Sequence, residues 1–264
     1  MNEKIVEWIT DYVKGYHELK DTETQWRTPI VGFASANDPS FHSLKQVVGN
    51  SHALPDDLIE GAQSVIVFFL PFAKDIVEGN IAEVQSSRPR DIANIETNQL
   101  ILDINRFLHG QLAIMGHEST VLPATYNYDE KNLTSDWSHR HIAQIAGVGT
   151  FGIHNLLITE AGCCGRLGSV VTTASLDPTE KIKFDHCLYR LNGSCGKCLN
   201  LCVANAFYMD KGFPRINRKL CNAQIYDDNV PMYNIGMGDA CGKCMCGIPC
   251  SVKSPVGRAA RTSS

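Results

Sequence analysis

Residues 195–198 read Cys-Gly-Lys-Cys, and residues 241–244 read Cys-Gly-Lys-Cys again. Each unit carries two thiols on one tight turn, so both sulfurs can bind the same metal centre. The units belong to a cysteine-rich stretch that holds nine of the eleven cysteines of the chain: Cys187, Cys195, Cys198, Cys202, Cys221, Cys241, Cys244, Cys246 and Cys250. The stretch predicts a ferredoxin-like, metal-binding domain at residues 181–264.

The cysteines that follow the two units divide the thiols into two sets. In two-cluster ferredoxins the last cysteine of a run binds the other cluster, which applies here to Cys202 and Cys250. Cys246 competes with Cys250 for the eighth position, but a cysteine two residues after Cys244 has little room to reach a second cluster. Eight ligands then bind two 4Fe–4S clusters, with Cys187, Cys195, Cys198 and Cys250 in one set and Cys202, Cys221, Cys241 and Cys244 in the other.

Zinc and disulfides are the alternatives to iron–sulfur clusters. A zinc site also takes paired C-x-x-C units, but one site with four cysteines leaves five clustered cysteines unexplained. Structural disulfides are disfavoured because a chain of 264 residues can bury a core without them, and its N-terminus has no secretion-signal pattern. These features predict a cytoplasmic protein in a reducing compartment.

The composition is that of a globular protein, with 44% hydrophobic and 20% charged residues. The net charge of −4, with mixed signs, does not favour nucleic-acid binding. The longest apolar run, residues 65–70, is too short to cross a bilayer. No membrane partner is therefore expected.

Strand and helix patterns alternate through residues 1–180, which predict an α+β domain with an α/β-like layered arrangement. Helical spacing of apolar residues predicts helices near residues 3–19, 41–48 and 92–115, with Gly116 at the end of the last one. Strands are expected near residues 28–34, 64–70, 118–122, 156–159 and 167–173. The run at residues 64–70 does not alternate, so we expect a central strand that is buried on both faces.

A polar group at residues 136–141 and a glycine motif at residues 147–152 are the other candidate site features. The glycines spell G-x-G-x-x-G, but a helix-like stretch precedes them, so a dinucleotide site is disfavoured and a tight turn is favoured. Core histidines and a helix cap explain the polar group equally well. The functional interpretation is a site over the clusters for an anionic or amide-rich ligand. Its catalytic candidates are Asp136, Tyr128 and His141, and its cofactor-binding candidates are Trp137, Ser138, His139, Arg140, Gly149 and Gly152.

Cys163 and Cys164 are adjacent in the sequence. Neighbouring cysteines rarely form a good disulfide, so we expect two small buried residues. A reactive pair is the alternative, and it requires a lowered thiol pKa.

The chain resembles the epoxyqueuosine reductase family, which is related to the reductive dehalogenases. The matching segments are residues 61–66 (GAQSVI), 143–155 (AQIAGVGTFGIHN) and 166–171 (RLGSVV), together with the two-cluster cysteine layout. The Trp-Ser-His-Arg-His sequence of residues 137–141 and the Cys-Leu-Tyr at Cys187 resemble those of short members of the family. The resemblance implies a base-off cobalamin above the nearer cluster, with electrons passing from a reduced ferredoxin or flavodoxin-type donor through both clusters to cobalt.

The chain departs from the family pattern in three places. The family's catalytic aspartate would fall near Leu133, and only Asp136 is close to that position. The C-terminal repeat extension that helps full-length members to hold tRNA is missing, so a small molecule or a corrinoid is expected as the partner and tRNA is not. The prolines that follow the last cysteine of each ferredoxin run are replaced by Val203 and Ser251.

These features favour an iron–sulfur oxidoreductase that resembles the reductive half of an epoxyqueuosine reductase. The alternatives are an electron carrier or corrinoid-reducing partner protein without substrate chemistry, and a corrinoid-binding protein. The sequence does not name the substrate.

Overall fold

The computed structural model describes residues 1–227 and 230–257. Its helices are α1 (Asn2–Lys20), α2 (Ser40–Val47), α3 (Pro55–Leu58), α4 (Lys74–Glu78), α5 (Arg88–Ile114), α6 (His139–Ile145), α7 (Leu188–Asn192), α8 (Lys197–Asn200) and α9 (Arg218–Tyr226), with a 3-10 turn at Lys243–Met245. Its strands are β1 (Ile30–Ser35), β2 (Ser64–Pro71), β3 (Tyr128–Asp129), β4 (Thr134–Ser135), β5 (Thr150–Phe151), β6 (Leu157–Ile158), β7 (Gly165–Thr172), β8 (Phe207–Asp210), β9 (Phe213–Ile216), β10 (Met232–Tyr233) and β11 (Gly236–Met237).

Strand β2 is the centre of a three-stranded sheet with the order β1-β2-β7. All eight of its residues are buried, as its continuous apolar run predicts. Both pairings are antiparallel, with Val67 opposite Gly32 on one side and Ser169 on the other. The expected mixed α+β class is therefore confirmed, and the sheet itself contains no parallel pair.

Successive side chains of β2 point to opposite faces of the sheet and enter two different apolar clusters. Ile66, Phe68 and Leu70 pack with residues of α1 and α5, including Ile9 and Ile104. Val65, Val67 and Phe69 pack with residues of α2 and α6, and with Trp137. The sheet is thus a middle layer between helices, which explains why its central strand shows no alternation of apolar and polar residues.

Two expected strands differ from the structure. Residues 118–122 contribute only an isolated bridge, between Ser119 and Thr172. The expected strand at residues 156–159 is the short strand β6, which forms a hairpin with β5 and not an added strand of the main sheet. Helix α5 begins four residues earlier than its apolar spacing predicts, because Ser87 and a proline in the first turn start it. Gly116 follows its end with a φ of 81°, as expected.

The cysteine-rich part consists of short elements that pack on the sheet domain. A third apolar cluster joins Cys187, Cys198 and Cys246 to Phe72 and Ile76 from the vicinity of β2 and α4. The division at residues 180/181 therefore runs through a shared apolar contact. Within the described residues, no helix combines the length and apolar character that crossing a bilayer requires.

Candidate metal centre and cleft

The first expected set of cysteines converges on one cavity. Cys187 precedes α7, Cys198 lies in α8, and both line the cavity together with Cys195 and Cys250. Burial raises the pKa of Cys198 to about 12, and the neighbouring thiols of Cys250, Cys187 and Cys195 add to this effect. Thiols that raise one another's pKa in this way are close enough to bind a common centre, whose positive charge would deprotonate them.

The second expected set shows the same mutual effect. Burial raises the pKa of Cys244, and Cys241, Cys221 and Cys202 raise it further. Cys198 of the first set also raises the pKa of Cys244. The two sets are therefore neighbours, and each offers four thiols, which is the donor set of a 4Fe–4S cluster.

Three further cysteines lie beside the first set. Cys163 and Cys164 are buried, as expected, and the Cys164 thiol donates to the Met245 carbonyl at 3.0 Å. The sulfurs of Cys164 and Cys246 are 4.0 Å apart. The Cys163 sulfur lies within 4.8 Å of the Cys250 sulfur and of a ring nitrogen of His154. The approach of residues 163 and 164 to Cys250 could not be predicted, because 87 and 86 positions separate them from it along the chain.

The thiol pKa of Cys250 is shifted in the opposite direction to that of Cys198. A hydrogen bond from Cys163 lowers its pKa to about 6 against the opposing effect of burial, and His154 contributes a second hydrogen bond. The distance from the His154 Nε2 to the Cys250 sulfur is 3.8 Å. The surroundings of Cys250 therefore favour the thiolate, whereas those of Cys198 oppose it.

A cleft of about 560 Å³ opens between the sheet domain and the cysteine-rich part. Cys163 and Met245 line it, so it adjoins the neighbourhood of Cys250. Among the expected site residues, the cleft is lined by Tyr128, Trp137, Ser138, His139, Arg140 and His141. The lining also contains four further arginines, which the sequence did not single out: Arg90, Arg166, Arg215 and Arg218.

Trp137 and His139 are held by one hydroxyl of strand β7. The Trp137 indole donates to the Ser169 Oγ at 2.9 Å, and the same oxygen lies 2.9 Å from the His139 Nδ1. The other ring nitrogen of His139 lies 3.1 Å from the Pro123 carbonyl, to which it can only donate. Ser169 therefore accepts from Trp137 and donates to His139. Burial lowers the pKa of His139 to about 4, which keeps the ring neutral.

Four other expected residues, Tyr128, Ser138, Arg140 and His141, form the wall of the cleft. The His141 Nδ1 lies 2.8 Å from the Ser138 hydroxyl. Burial, and then the charge of Arg140, lower the pKa of His141 to about 4. Arg140 donates to the Asn155 carbonyl at 2.6 Å. Tyr128 is 45% exposed, and desolvation raises its pKa. The wall thus offers neutral imidazole, hydroxyl and guanidinium groups.

Asp136, Gly149 and Gly152 do not line the cleft. Burial lowers the pKa of His52, and the nearby Asp136 carboxylate opposes this effect by raising it. A side chain at Gly149 would collide with the Ile158 carbonyl, and a Cβ at Gly152 would lie 2.5 Å from the His154 ring. These two glycines therefore allow close packing around the β5–β6 hairpin and beside His154.

Solved structures of two groups of enzymes share this fold. An epoxyqueuosine reductase from Streptococcus thermophilus matches with a TM-score of 0.52 and 13% identity, over 93% of this chain and 67% of that one. An epoxyqueuosine reductase solved with a modified tRNA stem loop matches with a TM-score of 0.53 and 17% identity, over 93% of this chain and 66% of that one. A reductive dehalogenase associated with B12-dependent dehalogenation matches with a TM-score of 0.59 and 17% identity, over 88% of this chain and 31% of that one.

These similarities confirm, at the level of the fold, the resemblance noted from the sequence. The chain spans about two thirds of the length of the epoxyqueuosine reductases and 31% of the dehalogenase. A scan against protein-family models and a search of curated proteins found no match. The chemistry must therefore be argued from the chain's own residues.

Proposed function

We propose that the protein is an iron–sulfur oxidoreductase that passes low-potential electrons through two 4Fe–4S clusters to a base-off cobalamin in the cleft. Bound there, cobalamin would supply the reducing power for a substrate held in the same cleft. The observation that carries this proposal is the position of Cys163, which lines the cleft and lies within 4.8 Å of the Cys250 sulfur. The first cluster would thus adjoin the floor of the cleft.

The thiols fit two clusters better than they fit zinc. Eight cysteines form two neighbouring sets of four, and Cys250 joins the first set although it lies more than 50 residues from Cys198 in the sequence. A single zinc ion would use only one of the sets. The cluster ligands in this proposal are Cys187, Cys195, Cys198 and Cys250, and Cys202, Cys221, Cys241 and Cys244.

The lining of the cleft fits a large ligand that is rich in amide groups. Ser138, His139 and Arg140 line it next to Trp137 and would hold the corrinoid. The B12-dependent dehalogenase of the same fold supports this assignment. Cobalamin would supply a strongly reducing cobalt centre that no side chain can replace. The cleft supports an enzyme over a pure electron carrier, which needs no such cavity, while a corrinoid-reducing partner protein without substrate chemistry remains the alternative.

The chain's own residues would bind the substrate and deliver its proton. Tyr128 lines the cleft, and its raised pKa keeps the hydroxyl protonated at neutral pH. It is therefore the preferred proton donor, with His141 in the same wall. Asp136, which lies beside His52, would act only after a movement of its loop. A reduced ferredoxin or flavodoxin is the proposed electron donor, and a small molecule, not tRNA, is the proposed substrate.

Metal analysis and a corrinoid titration test this function. Protein purified without oxygen should contain about eight irons per chain and should shift the visible spectrum of added base-off cobalamin. Cys198→Ser should remove the signal of one cluster and leave the other. Zinc in place of iron, or two intact clusters in the Cys198→Ser variant, would refute the cluster assignment. An unchanged cobalamin spectrum would instead favour the electron carrier.

A further inference from the structure

The cleft is lined by five arginines and by no aspartate or glutamate among the described residues. The five come from distant parts of the fold: Arg90 (α5), Arg140 (α6), Arg166 (β7), Arg215 (β9) and Arg218 (α9). Only Arg215 makes an ion pair within the described ranges, with Asp210 at 3.7 Å. Four guanidinium groups therefore face one cavity without a carboxylate partner in residues 1–227 and 230–257.

Arg90 and Arg166 form a deep pair. Arg90 is only 7% exposed, and its Nε and one Nη make no hydrogen bond with any described residue. Arg166 donates to the Asn94 side chain, whose amide group in turn donates to Asp239 at 2.8 Å. Burial, and then the charge of Arg90, lower the pKa of Arg166 to about 10. Two cations thus repel each other in a poorly hydrated place. The charges of Asp91 and Asp239 act on Arg90 and Arg166 from a distance, but neither carboxylate forms an ion pair with them within the described ranges.

Arg140 and Arg218 form a second pair nearer to the rim. Burial lowers the pKa of Arg140, and the charge of Arg218 lowers it further. The one described hydrogen bond of Arg140 goes to a backbone carbonyl, which carries no net charge. Neither pair has a carboxylate ion-pair partner among the described residues, although the Cys221 thiol acts on Arg140 and the Cys241 and Cys246 thiols lie in the field of Arg90.

We infer that the cleft binds a small substrate that carries two anionic groups, phosphate or carboxylate, one at the Arg90–Arg166 pair and one at the Arg140–Arg218 pair. This inference rests on the proposed function, because it names the substrate class of the same cleft. Buried like charges are costly unless a counter-charge is bound with them. The planar fork of arginine matches the oxygens of phosphate and carboxylate groups in a bidentate manner.

The anion could also come from the cofactor, since the nucleotide loop of cobalamin carries one phosphate diester. That single charge would occupy one pair and leave the other without a partner. Cobinamide, a corrinoid without this nucleotide, separates the two sources experimentally.

The test is calorimetric titration of the anaerobic, cluster-loaded protein with pyrophosphate and with succinate as probes. We expect at least one probe to bind, and Arg166→Gln and Arg218→Gln each to weaken its binding about tenfold or more, since a hydrogen bond to a charged group is lost. Arg106→Gln, which changes an exposed arginine outside the cleft, is the matched control. If neither probe binds, or if the control weakens binding as much as the cleft variants do, the inference is overturned.

Corrinoid titrations of the same variants identify the source of the anion. If Arg166→Gln and Arg218→Gln bind cobalamin and cobinamide as the unchanged protein does, the arginines serve the substrate. If they lose affinity for cobalamin but not for cobinamide, the arginines hold the cofactor's own phosphate and the inference about the substrate is wrong. If the unchanged protein binds no corrinoid but binds the probes through these arginines, the proposed cofactor fails while the anion site stands.

Discussion

Tyr128 and Asp136 are the two candidates for the proton donor, and the structure places them differently. Tyr128 lines the cleft, whereas Asp136 lies beside His52. We expect Tyr128→Phe to slow turnover of the cobalamin-loaded protein by roughly 100-fold, the usual scale of general acid catalysis. Asp136→Asn should slow it much less. The measurement is reduction of a surrogate aryl bromide that carries a carboxylate, with iron content and cobalamin spectrum as controls. The reverse order of effects would restore the assignment of Asp136 that the sequence suggested.

His154 is placed to adjust the cluster that Cys250 would bind. The Leu156 N–H donates to its Nδ1 at 3.2 Å, so the neutral ring carries its proton on Nε2, which faces the Cys250 sulfur at 3.8 Å. This N–H stabilises negative charge on the sulfur and therefore the reduced cluster. His154→Leu should lower the midpoint potential of one cluster by roughly 60 mV, which is a tenfold shift of a one-electron equilibrium.

Gly152→Ala is the matched variant, because its Cβ would push the His154 ring away from its present position without removing the imidazole group from the protein. It should shift the same potential in the same direction. Redox titration followed by electron paramagnetic resonance distinguishes the two clusters. Equal shifts of both clusters, or no shift in either variant, would show that the hydrogen bond does not act on the cluster.

Helix α6 makes the stability of the protein depend on pH through His139. The pKa of His139 falls to about 4 in the folded state because the ring is buried. The unfolded chain therefore binds more protons between pH 6.5 and 4, and stability must decrease as the pH falls through that window. We expect His139→Gln to remove roughly 1 kcal/mol of the stability lost between pH 7 and pH 5.5. Anaerobic urea unfolding at the two pH values measures it, and an unchanged pH dependence would contradict the neutral, buried ring.

At the same scale, the sequence predicted most elements but not the pairing of the strands. The helix at residues 92–115 and the buried strand at residues 64–70 follow from apolar spacing, and both are present as α5 and β2. The direction of pairing could not be predicted, because helices on both faces give the same unbroken apolar run to a parallel or an antiparallel strand. Residues 118–122 do not form a strand, although their composition favours one. They pair with the edge of β7 through a single bridge.

For the whole molecule, the predictability of the site depends on distance along the chain. Each cysteine set could be proposed because it contains one C-x-x-C unit, Cys195–Cys198 or Cys241–Cys244, at the spacing that metal ligation requires. The assignment of both sets to clusters stays a prediction. The arginines of the cleft could not be predicted, because they come from five separate elements and no local pattern relates them. The same holds for the approach of Cys163 to Cys250.

The third apolar cluster would couple metal binding by its cysteines to the stability of the fold. Cys187 and Cys198 pack in the same apolar cluster as Phe72 and Ile76. If these thiols bind the proposed iron–sulfur cluster, its loss to oxygen would also weaken this contact with the sheet domain. The oxidised protein would then expose apolar surface, and chaperones and proteases bind and remove proteins in such a state. Under the proposed function, insertion of the first cluster would therefore complete this interface as well as the redox site.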